Sequence, residues 1–259
     1  MASQVILLFD IGNTNTHLGL ATGAQVRWQS NIPTASWFDG TANALLEKFA
    51  AGKPVRGAVM CSVVPTATPR AQRIVHRRWN LEVLELTPRT VAKLKLGINY
   101  PKPQTIGPDR LANAVAIRHH YGAPAVVVDF GTAVTFDVVD GHGDYVGGII
   151  APGLAAMTEY LHEKTALLPK IKIREPRSVI GKSTKEAMLI GTVHGYRGLI
   201  RALLTELKHK LNCRRLPVVA TGGYARLLAG NMPEITAVEP LLTLEGLRLV
   251  WEGNVKRGA

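Results

Sequence analysis

Val5-Ile6-Leu7-Leu8-Phe9-Asp10-Ile11-Gly12-Asn13-Thr14 and Ala125-Val126-Val127-Val128-Asp129-Phe130-Gly131-Thr132-Ala133 are two versions of one phrase, about half a chain apart. In each, an apolar run of β-forming residues ends in Asp-x-Gly. A small hydroxyl-bearing turn follows, and then a second strand-like stretch, His17–Ala21 in the first copy and Thr135–Val139 in the second. A hairpin of this kind leaves backbone N–H groups open to an anion, and its Asp can hold a cation or a cation-bound water. One such turn is also what any ordinary hairpin looks like. The repetition in matching context points instead to duplicated halves gripping a nucleotide triphosphate and its metal.

Working outward, the first half reads as a strand meander, Val5–Phe9, Thr16–Ala21 and Gln25–Ser30. A helix over 37–50, a buried strand over 57–64, a basic helix over 68–79 and a strand over 81–86 come next. The Gly- and Pro-bearing stretch 96–106 reads as an extended loop, and a helix begins near Asp109 and ends at Tyr121. After Pro124 the meander repeats as 125–129, 135–139 and 144–150. Helices over 152–161 and 183–211 follow, with a basic loop over 170–179 between them. A strand over 217–220 runs into Gly222-Gly223 and a helix, and a helix over 243–252 closes the chain. The expected fold is α/β: two duplicated halves, 1–117 and 118–259, each a mixed sheet with flanking helices, and a cleft between them.

Composition narrows the class. The chain has 259 residues, 46% of them hydrophobic and 19% charged, which suits a soluble globular protein with substantial cores. No apolar run approaches the roughly 18–20 residues that cross a bilayer. The start, Met1-Ala2-Ser3-Gln4, lacks the basic segment of a signal peptide, so a cytoplasmic location is expected. Cys61 and Cys213 stand far apart and indicate neither a disulfide framework nor a zinc site. The net charge of +12 raises nucleic-acid binding, but the basic residues are scattered and carry no recognition motif. A solvated basic surface, or attraction of anionic substrates, is the reading preferred, with no specific nucleic acid and no membrane among the partners.

Five places are candidates for chemistry or close substrate approach. Asp10 and the Gly12–Thr16 turn would hold phosphates and a divalent metal, and Asp129, Gly131 and Thr132 would supply a second grip. Gly107-Pro108-Asp109-Arg110 offers a carboxylate able to take a hydroxyl proton, beside a guanidinium able to clamp an acidic substrate. The same four residues also suit a plain helix N-terminus, with Asp favoured by the macrodipole. Thr221-Gly222-Gly223 would let a nucleotide approach the backbone, though a strand-to-helix connector accounts for it equally. Tight packing and substrate approach explain Gly147–Gly153 equally well.

Taken in order, these motifs resemble the type III pantothenate kinases, of the superfamily of acetate and sugar kinases, heat-shock chaperone ATPases and actin. The matching phrases are Asp10–Thr16, Cys61-Ser62-Val63-Val64-Pro65, Tyr100-Pro101, Gly107–Arg110, Asp129–Ala133 and Gly147–Gly153. Ile180-Gly181-Lys182-Ser183-Thr184, Thr221-Gly222-Gly223 and Leu242–Leu247 complete the set, which spans the chain from end to end. The resemblance implies two actin-like (ribonuclease H-like) halves and ATP-dependent phosphorylation of pantothenate, the first step towards coenzyme A. It implies Asp109 as general base and Asp10 as the residue organising Mg2+. Asp10, Ile11, Gly12, Asn13, Thr14, Asn15, Thr16, His17 and Thr132 would contact ATP. Tyr100, Gly107, Pro108, Asp109, Arg110 and Thr184 would contact pantothenate. Asp129 would bind a monovalent cation, K+ or NH4+, and a homodimer would complete the substrate pocket. Pro108 departs from the small or aliphatic residue more usual there. Its fixed φ is compatible with a helix start. A non-catalytic regulatory accessory factor of the same family is the alternative, against which the intact Asp10, Asp109, Asp129 and Thr132 speak.

Overall fold

The computed structural model of the protein describes residues 5–23 and 25–255. The Met1–Gln4 start lies outside the described residues. The chain forms two compact units, one running up to His120 and resuming at Leu241, the other Tyr121–Pro240.

In the first unit, β1 (Val5–Ile11), β2 (Asn15–Thr22) and β3 (Gln25–Pro33) make the expected antiparallel meander. The second edge of β1 pairs in parallel with β4 (Val55–Ser62), and β4 with β5 (Val83–Glu85), giving the order β3-β2-β1-β4-β5. Strand alternation sends Leu7, Phe9 and Ile11 to one face. There they meet Leu18, Leu20, Trp37, Leu46, Ala71 and Val75 in one buried cluster. The helix expected over 37–50 is two, α1 (Ser36–Asp39) and α2 (Ala42–Ala50). Gly40 stands between them with φ 86°, a left-handed residue that a continuous helix cannot contain. The basic helix α3 (Thr68–Trp79) falls where periodicity put it.

A short helix, α4 (Pro88–Ala92), escaped the reading of the sequence. Its start is a capping box in which the Thr87 and Thr90 side chains satisfy each other's backbone N–H. The expected loop 96–106 contains one 3-10 turn, Pro103–Thr105, and leads into α5 (Pro108–Tyr121), with Pro108 as its first residue.

The second unit repeats the topology strand for strand. The meander β6 (Ala125–Phe130), β7 (Ala133–Val139) and β8 (Tyr145–Pro152) is followed by β9 (Val218–Thr221) and the short β10 (Ala237–Val238), which was also missed. Read in the same direction the order is β8-β7-β6-β9-β10, with β9 parallel to β6 and to β10. Val126, Val128, Phe130 and Phe136 bury their side chains with Leu189, Val193, Tyr196, Ile200 and Leu204. The last five belong to the long helix α7 (Thr184–Lys210), preceded by α6 (Leu154–Lys164) and followed by α8 (Ala225–Ala229). Pro152 ends β8 rather than opening α6, a place its missing N–H permits.

The closing helix α9 (Leu242–Asn254) packs on the first sheet, against β1, β2, β3 and β4. Residues from Leu241 onward therefore group with the first unit, whereas a single cut after residue 117 assigns them to the second. Contact makes the reason plain. Leu244 reaches the space beside Gly19 and Leu8, and Gly246 passes so close to the Ala112 backbone of α5 that no side chain fits. Thr243 donates to the buried Asn113 amide oxygen at 2.9 Å, which fixes the register of α9 on α5. Small residues at the crossing allow the close approach, so the Leu242–Leu247 phrase is a packing motif here.

Candidate active site

Asp10 is the penultimate residue of β1, and the neighbouring strands set what faces it. Its register partners are His17 on β2 and Cys61 on β4. The Cys61 thiol, 1% exposed, donates to Asp10 Oδ1 at 3.4 Å. Burial pushes that thiol well above its usual range, and the charges of Asp10 and Asp109 push it further. The first unit thus sets the β1 carboxylate against a buried S–H group that also senses the charge of Asp109, at the start of α5.

The turn after Asp10 is built to leave its tip in solvent. Gly12 N–H donates to Asn15 O at 3.0 Å, and the Thr34 hydroxyl donates to Gly12 O at 2.7 Å. Asn13, Thr14 and Asn15 are exposed. Thr16 is not: its hydroxyl is fully buried, accepts from the Trp37 indole N–H at 2.8 Å and shares a 3.2 Å contact with Thr34. Its side chain therefore anchors the turn, and the exposed donors are its neighbours. His17 is half-buried, and its Nε2 lies 2.9 Å from Gln29 Oε1. Burial lowers the pKa of the ring, keeping it neutral to lower pH than a free imidazole.

Asp109 is the second residue of α5, where the N-terminal end of the helix favours a carboxylate. Its Oδ1 accepts from the Arg110 backbone N–H at 2.9 Å. Burial raises the carboxyl above the ordinary Asp value, and the Arg110 N–H and guanidinium work against that rise. A base is better matched to its task as its affinity for a proton rises towards the working pH. Gly107 explains its own identity: a Cβ there would stand 2.5 Å from Asp109 Oδ1. The carboxylate folds back over that glycine. Tyr100, in the preceding loop, is partly exposed.

In the second unit, Asp129 is the penultimate residue of β6, paired with Thr135 on β7 and Thr221 on β9. Gly131 and Gly222 both lie against its carboxylate. A Cβ at Gly222 would be 2.5 Å from Asp129 Oδ1 and 2.7 Å from the Phe130 backbone, and its φ of 88° is left-handed as well. The Thr221-Gly222-Gly223 phrase is therefore closely fitted to β6. Thr132 is exposed at the turn, and its carbonyl accepts from Gly153 N–H at 3.2 Å, with no room for a side chain at Gly153. That close fit gives the Gly147–Gly153 phrase a packing role. Thr184 is exposed at the first position of α7, next to the cap Ser183, whose hydroxyl accepts from Glu186 N–H at 3.3 Å.

The comparisons with known proteins decide the family. The type III pantothenate kinase profile matches residues 6–206. The chain belongs to this family. It is 43% identical over 254 residues to the type III pantothenate kinase of Methylacidiphilum infernorum (isolate V4), covering 97% of this chain and 90% of that protein. Among solved structures, a conserved candidate transcriptional activator of the Baf family from Campylobacter jejuni superposes with TM-score 0.60 at 20% identity. That likeness covers 96% of this chain and 98% of the other. A candidate N-acetylglucosamine kinase from Porphyromonas gingivalis superposes with TM-score 0.52 at 14% identity, covering 96% and 99%. At such identities the likeness is one of fold, and the fold is the actin-like one of two mixed sheets with flanking helices.

Sequence reasoning did not find the roles of Cys61, Thr34 and Trp37. The first is readable in principle, because two parallel strands ending level put residue 61 opposite residue 10. The hydrogen bonds of Thr34 and Trp37 span about twenty residues and leave no local trace.

Proposed function

We propose that the protein transfers the γ-phosphoryl group of ATP to the terminal hydroxyl of pantothenate, giving 4'-phosphopantothenate, the first step of coenzyme A biosynthesis. The observation that carries the reading is Asp109: a half-buried carboxylate with raised proton affinity, beside Arg110, in a chain of this family. The pantothenate oxygen attacks the γ-phosphorus, its proton passes to Asp109, and the bond to the ADP oxygen breaks. Such transfer depends mainly on positioning and charge neutralisation, with little covalent help from the protein.

Asp10 to His17 and Thr132 are the ATP contacts in this reading, Thr16 acting through the turn it anchors. Asp10 is the residue to which Mg2+ is referred. Among the described residues no group of three or more His, Cys, Asp or Glu could hold a metal ion. A single half-buried carboxylate fits an ion that takes the rest of its shell from phosphate oxygens and water, as Mg2+ does. Bound there, the ion neutralises charge on the phosphates. Asp129, half-buried against Gly131 and Gly222, is the proposed site of K+ or NH4+. Tyr100, Gly107, Pro108, Arg110 and Thr184 contact pantothenate, with the Arg110 guanidinium suited to its carboxylate.

The protein works as a homodimer in the cytoplasm, without a specific nucleic-acid or membrane partner. Exposed Ile150, Met157, Tyr160, Leu167, Val179 and Ile180 in the second unit support a covered surface there. None of the described helices is long and apolar enough to cross a membrane. Incubation of the purified protein with ATP, Mg2+, pantothenate and K+ or NH4+, read by mass spectrometry, should show phosphopantothenate and ADP. Folded protein that forms neither product overturns the proposal.

A further inference from the structure

Cys61 takes no part in the reaction just described, yet it touches the residue that would organise the metal. The parallel register of β1 and β4 sets it opposite Asp10, and its thiol donates to Oδ1 at 3.4 Å. The side chain is buried, and it lies close enough to Asp109 to feel that charge as well. We propose that Cys61 is a positioning residue, whose thiol fixes the direction in which the Asp10 carboxylate faces a magnesium-bound nucleotide. The inference rests on the kinase reading of Asp10.

The chemistry suits a thiol. S–H is a weak donor, so it orients a carboxylate while leaving most of its negative charge for the metal side. A hydroxyl would approach closer and draw off more of that charge. Sulfur is also a soft ligand, poorly matched to a hard ion such as Mg2+, and so does not compete with the oxygen beside it. An aliphatic side chain would fill the same volume but leave Asp10 Oδ1 without this donor.

The test compares wild type with Cys61→Ala, Cys61→Val and Cys61→Ser. Mn2+ stands in for Mg2+, with the non-hydrolysable analogue AMPPNP, and free Mn2+ is read by electron paramagnetic resonance. Cys61→Ala and Cys61→Val should weaken Mn2+ affinity about three- to tenfold, the range one net hydrogen bond spans. Cys61→Ser should recover most of that loss, and the pantothenate KM should stay at the wild-type value in all three. Equal Mn2+ affinity in all four proteins overturns the proposal. Recovery by Val but not by Ser also overturns it, since packing would then be the whole role. Should Cys61→Ala fail to fold, the Val and Ser pair decides by the same criterion. A wild type that binds no Mn2+ with AMPPNP brings down the kinase reading of Asp10 itself, a result distinct from the other two.

Discussion

The two Asp-x-Gly hairpins share a topology and differ in what surrounds the carboxylate. On β1, Asp10 faces His17 and Cys61 across its two strand partners; on β6, Asp129 faces Thr135 and Thr221. The turns differ as well. Ile11 pairs with Thr16 but Phe130 with Val134, so the second turn is one residue shorter. The first turn leaves Asn13, Thr14 and Asn15 in solvent, whereas in the second a close-packed Gly153 backbone bonds the Thr132 carbonyl. Duplication supplied the same strand ends twice, and the residues around them have parted. One end is furnished with a buried thiol and a half-buried imidazole, the other with glycines packed against the Asp. The difference supports a division of labour in which metal and proton chemistry belong to the first unit and a simple cation site to the second.

The largest effect should come from removing Asp109, the proposed proton acceptor of the first unit. Asp109→Asn should lower kcat by about 10^2- to 10^4-fold while AMPPNP binding, followed calorimetrically, persists. In the wild type the raised Asp109 pKa should place the acid limb of kcat/KM above the ordinary Asp value, because only the ionised carboxylate accepts the proton. That limb should be absent from the residual activity of the variant. Turnover near the wild-type rate would place the base elsewhere and dissolve the contrast.

Two glycines sharpen the comparison, because each faces an Asp carboxylate at the same 2.5 Å from an added Cβ. At Gly107 the only close obstacle is the Asp109 carboxylate, which can swing aside. Gly107→Ala should therefore leave the melting temperature nearly unchanged and lower kcat about ten- to hundredfold through a displaced base. At Gly222 the obstacle includes the Phe130 backbone, which cannot yield, and φ is left-handed. Gly222→Ala should destabilise the protein by about 2 kcal/mol or more in chemical denaturation, and should blunt stimulation by K+ or NH4+. If Gly107→Ala melted early while keeping its kcat, the folded-back carboxylate would have no catalytic meaning.

Much of this was legible because its cause is local. The apolar runs at 5–9 and 125–128 are strands on pattern alone, and Pro108 before Asp109 marks a helix start by φ and by charge. The duplicated meander fixed the paired sheets. What stayed hidden depends on distant residues. A helical pattern over 37–50 gives no warning that Gly40 takes φ 86°. Two-residue β10 exists only because β9 lies beside it. The return of α9 to the first sheet is decided by close contact with Ala112 and Gly19, over a hundred residues away in sequence. For the site, residue types and turn spacing named the carboxylates. The burial of the Thr16 hydroxyl, which is bonded to Trp37 and Thr34, depends on residues about twenty positions away.

The smallest effect concerns a pair of buried arginines, one in each unit, that again look alike and differ in partners. Arg248 on α9 binds Glu245, with Nε 2.9 Å from Oε2, and Glu252 at 2.7 Å, both on its own helix. Arg197 on α7 instead reaches a loop, binding Glu175 through two N–H groups at 2.9 and 2.7 Å, and donates to the Leu227 and Leu228 carbonyls. Among the described residues Glu175 is the only carboxylate bonded to Arg197, so Glu175→Gln leaves a guanidinium that is 2% exposed without its counter-charge. Because the Glu175 side chain itself is 43% exposed, the loss should be about 1–2 kcal/mol, below that of a fully buried pair. Glu245→Gln should cost less, since Glu252 still faces Arg248. Arg197 holds the Glu175 carboxyl below its ordinary range. Its contribution is therefore complete above the unfolded value, about 4.3, and disappears as pH falls through the lower folded one. The gap in melting temperature between wild type and Glu175→Gln should accordingly be full at pH 7 and narrow towards pH 3. A gap that stayed constant over that interval would mean the Glu175 charge adds nothing beyond the shape of its side chain.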